Sequence, residues 1–332
     1  MKAIALISGG LDSILAAKII EIQGVVVVPL YFKIPFCHIK APTYLGKNLS
    51  SFVKISLGEE LRTVDISDEF LNLILKPKYG FGSHMNPCID CKILMLLKAK
   101  ELMPRFNAQF IVTGEVLGQR PMSQHKQALK TIEEKSGLTG LLLRPLSARN
   151  ITPTIPEENG WVNRDKLLGL SGRSRRPQIK LAKEFNILGY PNASGGCLLT
   201  DRQFSARLKD LIVHKVVDLR NIEFLKIGRH FRLGLNTKLI VGRDEQENRQ
   251  IEEKAGMGDY LFTPDEKIAG PTCLGLGSFS REMMLISSQI ASYYCDTGKN
   301  GADIISRHLP GEDGQLLNVF PIEGSRLMSL RI

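Results

Sequence analysis

The sequence predicts an α/β protein with a doubly wound, mostly parallel sheet, followed by a smaller α+β domain. Three observations predict it. Short β-rich runs alternate with helical periodicity from the first residues, a Gly-rich turn stands where the first strand gives way to the first helix, and the texture changes after Pro145. The alternation is that of a parallel sheet covered by helices. At 332 residues the chain has room for two domains of about 100–200 residues each.

The stretch AIALI reads as the first strand, Asp12 to Gln23 as the first helix with Gly24 as its stop, and VVVVPLYF as the second strand. Then come RTVDIS, a long helix through CKILMLLKAKELM, the strand AQFIVTG, a helix through HKQALKTIEEK, and LLLRPLSA. That gives about five strands, and ligands of such sheets bind at the strands' carboxyl ends. The expected domains are 1–150, the sheet; 151–219, a basic helical extension carrying Cys197; and 220–332, a small α+β domain with hairpin texture and one helix. Residues 150–162, with Pro153 and Pro156, read as an ordered linker, and GRSRRPQIKLAKEF is the densest cationic stretch.

Hydrophobic content of 43% and charged content of 23% are those of an ordinary globule. No apolar run reaches the ~18 residues of a membrane span, and the N-terminal glycines lead into a patterned helix rather than a cleavage site. The expected location is cytoplasmic. Six cysteines in such a chain argue for thiol, metal or redox chemistry rather than a disulfide framework. The net charge of +10 is uneven: residues 1–219 carry 30 basic against 19 acidic side chains, and residues 220–332 carry 14 against 15. A polyanion such as RNA, or simply a solvated basic face, fits the first two thirds.

The stretch ISGGLDS, Ile7 to Ser13, places unpaired N–H groups and a positive helix end around an anion. Gly9 and Gly10 let the backbone come close, and the Ser8 and Ser13 hydroxyls add donors. Asp12 would repel phosphates unless a cation lay between, so it predicts Mg²⁺. The loop is neither the nucleoside-triphosphate P-loop nor the dinucleotide pattern of three spaced glycines.

In NPCIDCK, Cys88 and Cys91 have metal-ligand spacing, and Cys197 in the small-residue stretch NASGGCLLT is the natural third member. Cys37, Cys273 and Cys295 read as core or incidental cysteines. Three readings stay open: a [4Fe–4S] cluster with one open iron, a Cys197 persulfide resolved by Cys91, or a zinc site completed by His84.

SGGLDS after the first strand resembles the pyrophosphate loop of the PP-loop ATP pyrophosphatases, which cut ATP between its α and β phosphates to adenylate an oxygen. NPCIDCK is similar to the cysteine segment of tRNA 2-thiouridylases, except that Cys88 stands where many carry Asp. VTGEVLGQRPMSQ resembles a motif of the catalytic domain of tRNA 4-thiouridine synthetases, and Cys197 matches the distal catalytic cysteine of both families. These motifs span residues 1–210.

The resemblance implies an ATP-dependent tRNA sulfurtransferase that adenylates a uridine carbonyl and replaces its oxygen with sulfur. Catalysis would fall to Asp12, Cys88, Cys91 and Cys197, with the three cysteines as ligands of the cluster. ATP would meet Ser8, Gly9, Gly10, Asp12, Ser13, Gly114 and Gln119, and RNA would meet Arg120, Arg173, Arg175 and Arg176. Ser123 reads as a uracil or ATP contact or as a helix N-cap. The implied partners are tRNA and a sulfur donor, either sulfide or sulfur derived from a cysteine desulfurase, and a homodimer is compatible. With aromatic content of 7%, shape and phosphate contacts are expected to outweigh stacking. From about residue 222 the chain resembles the small RNA-binding domain of NFACT-type ribosome quality-control proteins, with Lys226, Arg229, His230 and Arg232 as local contacts; a cap on the sheet is the other reading. Rival functions are a related enzyme sulfurating or amidating a small metabolite, and a non-catalytic RNA-binding protein with a regulatory nucleotide site.

Overall fold

The computed structural model describes residues 1–36, 48–187, 189–190, 196–311 and 313–332. It divides into two compact units, Met1–Asp201 and Arg202–Ile332.

The first unit runs β1 (Lys2–Leu6), α1 (Leu11–Glu21), β2 (Val26–Lys33), α2 (Leu49–Leu57), β3 (Arg62–Asp65), α3 (Ser67–Leu75), α4 (Cys88–Phe106), β4 (Phe110–Thr113), α5 (Lys126–Lys135), β5 (Leu142–Leu143), α6 (Ile155–Glu158) and α7 (Arg176–Glu184). Its strands form a parallel sheet in the order β3-β2-β1-β4-β5. The doubly wound expectation holds because β1 has apolar side chains on both faces. Ala3 and Ala5 pack with α1 and α2, while Ile4 packs on the other side with Leu96 and Ala99 of α4 and Ile132 of α5. Pro29 inside β2 has no N–H to give, and pairing with β3 begins only at Leu30. The fifth strand is shorter than LLLRPLSA suggests, because Arg144 leaves the ladder to become a fully buried ion-pair partner.

The stretch 150–162, expected to be an ordered linker, lies inside the first unit, with Val162 in its core. A reciprocal capping box joins Thr154 and Glu157 at the start of α6, and Trp161 stacks on Phe110 with ring centroids 6.3 Å apart.

The second unit runs α8 (Arg202–Val213), α9 (Leu219–Phe224), β6 (Arg229–Gly234), β7 (Thr237–Val241), α10 (Glu245–Lys254), β8 (Tyr260–Pro264), β9 (Cys273–Gly277), α11 (Arg281–Tyr293), β10 (Ala302–His308), β11 (Gly314–Val319) and α12 (Gly324–Leu330). Its antiparallel sheet has the order β11-β10-β8-β9-β7-β6. Strand alternation sorts the core onto two faces: Leu239, Val241 and Cys273 pack with α11, and Ile240 and Leu274 with Ile251 of α10. Cys273 and Cys295 are buried core cysteines, as expected; Cys37 lies outside the described residues.

Candidate active site

The carboxyl end of β1 delivers the chain into the loop Ile7–Gly10, which opens α1. Ile7 N–H still donates to Leu30 O at 2.8 Å, so the loop starts from the sheet itself. Gly9 then takes φ +79°, a left-handed turn that suits glycine. The Ser13 hydroxyl donates back to Gly10 O at 2.8 Å and accepts from Ser8 N–H at 3.2 Å, which closes the loop into a ring of small groups. No side chain caps the N-terminus of α1, so its first-turn N–H groups have the arrangement that receives an anion.

Gly114, at the end of β4, lies beneath this loop. A Cβ there would stand 2.5 Å from both Asp12 C and Ser13 N. The glycine is therefore needed by the loop's own backbone. Sequence reasoning placed Gly114 with ATP but could not see which backbone it approached.

Asp12 is the polar centre. Gln119 Nε2 donates to its Oδ2 at 2.7 Å, and Gln178 Nε2 of α7 donates to Gln119 Oε1 at 3.0 Å, making a relay from α7 to the loop. Arg175 NH2 stands 4.0 Å from the same Oδ2. The other oxygen, Oδ1, is buried without a hydrogen-bond partner. Burial pushes the Asp12 carboxyl above its ordinary range, and the Gln119 bond and the charges of Arg175 and Arg120 offset this only in part. An under-satisfied carboxylate beside an anion-binding loop fits a divalent cation, so Asp12 is the residue here that suits Mg²⁺. Arg175 thus faces the loop, while Arg120, Arg173 and Arg176 are exposed.

Ser147, missed by sequence reasoning, ties two connecting segments together. Its Oγ accepts from Leu117 N–H at 2.9 Å and donates to Leu170 O at 2.7 Å. Gly172 N–H reaches Leu117 O at 2.8 Å, which brings the chain entering α7 alongside the TGEVLGQ stretch. A second missed group is Glu115, which accepts from Thr113 Oγ1 and Arg144 Nε, each at 3.1 Å. Burial pushes this carboxyl up, but the charges of Lys92 and Arg144 and the two hydrogen bonds outweigh it and hold Glu115 below its ordinary range. Ser123 is buried, and the α5 N-cap is instead His125, whose Nδ1 accepts from Ala128 N–H at 3.2 Å.

The cysteines approach the same sheet edge. Cys88 opens α4 and Cys91 follows one turn on. Leu198 N–H donates to Phe36 O at 3.0 Å, just beyond β2, and Met85 N–H donates to Leu199 O at 3.2 Å. The Cys197 segment is therefore laced to the chain leading into Cys88. Residues 191–195 of the preceding stretch lie outside the described residues. Among the described residues no group of three His, Cys, Asp or Glu side chains is arranged to hold a metal ion. The expected convergence of Cys88, Cys91 and Cys197 on a [4Fe–4S] cluster, or on zinc with His84, is not found there. The Cys88 thiol donates to Asn86 Oδ1 at 3.0 Å, and His84 sits exposed in a left-handed turn at φ +58°.

The strand contacts expected to meet RNA in the second unit are largely turned to internal partners. His230 is buried with Nε2 2.8 Å from Ile227 O. Arg232 Nε donates to Asp210 at 3.0 Å, Lys226 pairs with Glu223 at 2.6 Å, and Arg229 lies over the Tyr294 ring at 4.6 Å.

Residues 1–151 match the family model described as thiamine biosynthesis protein (ThiI), and residues 228–329 match that of the NFACT protein RNA binding domain. The first unit carries a PP-loop domain of the tRNA sulfurtransferase type, and an NFACT-R-like domain follows it. This PP-loop chain is 28% identical over 145 residues to a probable tRNA sulfurtransferase of Thermococcus kodakarensis, covering 44% of this chain and 36% of the relative. It is 26% identical over 250 residues to the tRNA-specific 2-thiouridylase MnmA of a Marinomonas species, covering 71% of this chain and 60% of the relative. A crystal structure of a 4-thiouridine synthetase–RNA complex with bound ATP aligns at 22% identity with a TM-score of 0.39, over 67% of this chain and 52% of that one. The chain spans less than two thirds of the length of these curated relatives. Among the described residues no helix is long and apolar enough to cross a membrane.

Proposed function

We propose that the protein is an ATP-dependent tRNA sulfurtransferase working through a persulfide on Cys197. The observation that carries the reading is the joining of the Cys197 segment to the residues before Cys88 through Met85 and Leu199, at the carboxyl edge of the sheet that also holds the Ser8–Ser13 loop.

The loop N–H groups, with the Ser8 and Ser13 hydroxyls, bind the β- and γ-phosphates of ATP, and Arg175 faces the same charge. Gln119 holds one oxygen of Asp12 and leaves the other, which would hold Mg²⁺; bound there, the ion would supply positive charge beside the pyrophosphate. The uracil carbonyl oxygen attacks the α-phosphorus, giving an adenylated base and pyrophosphate. The terminal sulfur of the Cys197 persulfide then attacks the activated carbon, AMP leaves with the former carbonyl oxygen, and the base is joined to Cys197 through a disulfide. The Cys91 thiolate attacks Cys197 Sγ, forming a Cys91–Cys197 disulfide and releasing the thiocarbonyl. An external thiol reductant resets the pair, and a sulfur donor reloads Cys197. Cys88, whose thiol is engaged by Asn86, has no step. Exposed Arg120, Arg173 and Arg176 meet RNA phosphates, and work on tRNA makes the protein cytoplasmic.

Replacing Cys197 with Ala abolishes the thiolated nucleoside seen by mass spectrometry of tRNA hydrolysates while ATP binding persists. Wild-type product from that variant overturns the assignment.

A further inference from the structure

Residues 76–87, KPKYGFGSHMNP, form the loop that runs directly into Cys88, and the reaction above gives them no role. The loop is firmly built. Asp90, buried in the first turn of α4, accepts Lys78 N–H at 2.9 Å on one carboxylate oxygen and Tyr79 N–H at 3.0 Å on the other. Gly82 N–H donates to Asn86 O at 2.8 Å, and Met85 N–H to Leu199 O. A Cβ on Gly82 would stand 2.4 Å from Met122 Sδ, so the loop also packs against the TGEVLGQRPM stretch. It therefore touches α4, the Cys197 segment and the 114–124 turn at once.

On this fixed frame Phe81 is 42% exposed. A loop with so many internal bonds could bury a phenylalanine, and this one presents it. Gly80 and Gly82 flank the ring without side chains, which clears the approach of a flat partner. Lys76, Lys78 and His84 are exposed on the same loop, and Asp90, the acid that meets it, is buried with both oxygens turned to backbone N–H groups. An exposed aromatic ring on a loop whose exposed charges are cationic is the chemistry that receives single-stranded nucleic acid: bases stack, and phosphates ride on the lysines. An apolar protein surface would instead favour a contiguous greasy patch, and Phe81 stands among Gly, Ser and Lys.

We propose that loop 76–87 is a single-strand RNA platform on which an unstacked base at or beside the target nucleotide lies on Phe81, with its phosphates on Lys76 and Lys78. This rests on the tRNA sulfurtransferase reading and adds a stacking contact to the phosphate contacts the sequence predicts.

The test uses the full chain and an unmodified tRNA transcript, with affinity measured across a salt series. Phe81→Leu keeps apolar bulk but loses the π face, and weakens binding about tenfold; Phe81→Trp retains wild-type affinity. Lys76→Gln with Lys78→Gln lowers the slope of log affinity against log salt by about 1.4, two single-strand phosphate contacts at ~0.7 each. ATP affinity is unchanged in every variant. Wild-type tRNA affinity in Phe81→Leu, with the unaltered protein active in thiolation, overturns the platform and leaves the enzyme reading standing. Unchanged RNA affinity combined with slower sulfur transfer from a persulfide-bearing protein also overturns it, in favour of a donor-docking loop. An unaltered chain with no salt-sensitive tRNA affinity removes both proposals.

Discussion

Two largely buried aspartates, one in each unit, are treated in opposite ways. Asp210 is saturated: Arg232 Nε donates at 3.0 Å and Lys238 Nζ at 3.1 Å, with His214 Nδ1 3.5 Å away. Burial pushes that carboxyl up, but the hydrogen bonds and charges of Arg232 and Lys238 outweigh it and hold Asp210 below its ordinary range. Asp12 has one neutral amide at 2.7 Å, a guanidinium at 4.0 Å and an oxygen with no partner, and burial wins. The first is a carboxylate spent on structure. The second keeps an oxygen without a hydrogen-bond partner, which the proposed function assigns to a cation from solution, and the contrast distinguishes the two more sharply than exposure does, since both side chains are mostly covered.

The contrast breaks most visibly in function at Asp12. Asp12→Asn lowers tRNA-dependent pyrophosphate release by about a hundred- to a thousandfold and at the same time raises the melting temperature of the ligand-free protein. The sign follows from the raised value: an acid whose folded pKa lies above its ordinary 3.8 weakens the fold at every higher pH, so at neutrality the amide is the more stable side chain. A lower melting temperature would contradict this assignment.

Asp210→Ala does the reverse. It strands Arg232 and Lys238 against each other in a buried setting and costs about 3–5 kcal/mol, read as a fall in the urea midpoint.

The smallest effect sharpens the contrast within the saturated cluster. Burial holds Lys238 down to about 8 against an ordinary 10.5, despite its bond to Asp210. Below about pH 8 the folded state therefore bears the full penalty of a charged buried ammonium, and the penalty fades as pH rises toward 10.5. Lys238→Met stabilises the chain by about 1–2 kcal/mol at pH 7, and the gain shrinks across that window. A pH-independent difference between the two proteins would show that Asp210 compensates Lys238 completely.

Features coded by adjacent residues were legible in the sequence. The glycine-rich turn between β1 and α1 is one such feature, because Ser8, Gly9, Gly10 and Ser13 shape it within a few residues. The alternation of short strands and helices announces the doubly wound parallel sheet in the same way. What could not be read is pairing across long separations: nothing near Gln178 announces that it holds the amide of Gln119, and nothing near Arg144 announces that it leaves a strand for Glu115 and Glu133. The second unit misled for a related reason. The stretch GRHFRL has the composition of an RNA contact, but β6 places His230 inward and sends Arg232 to an acid on α8. Composition shows that cations are present and leaves open what has already claimed them. Spacing gave Cys88 its rank as a ligand, and it could not show that a neighbouring Asn86 amide oxygen accepts from its thiol.

Gly114 carries one more lesson. Because the loop proposed to grip phosphate rests on a residue without a side chain at the end of β4, its shape is inherited from where two parallel strands stop relative to each other. A single added methyl at this position would pry the grip open while the hydrophobic interior stayed intact, giving a folded protein that can no longer hold nucleotide. The precision of the proposed site is thus stored in strand register, and errors there would surface as lost chemistry before they surfaced as lost structure.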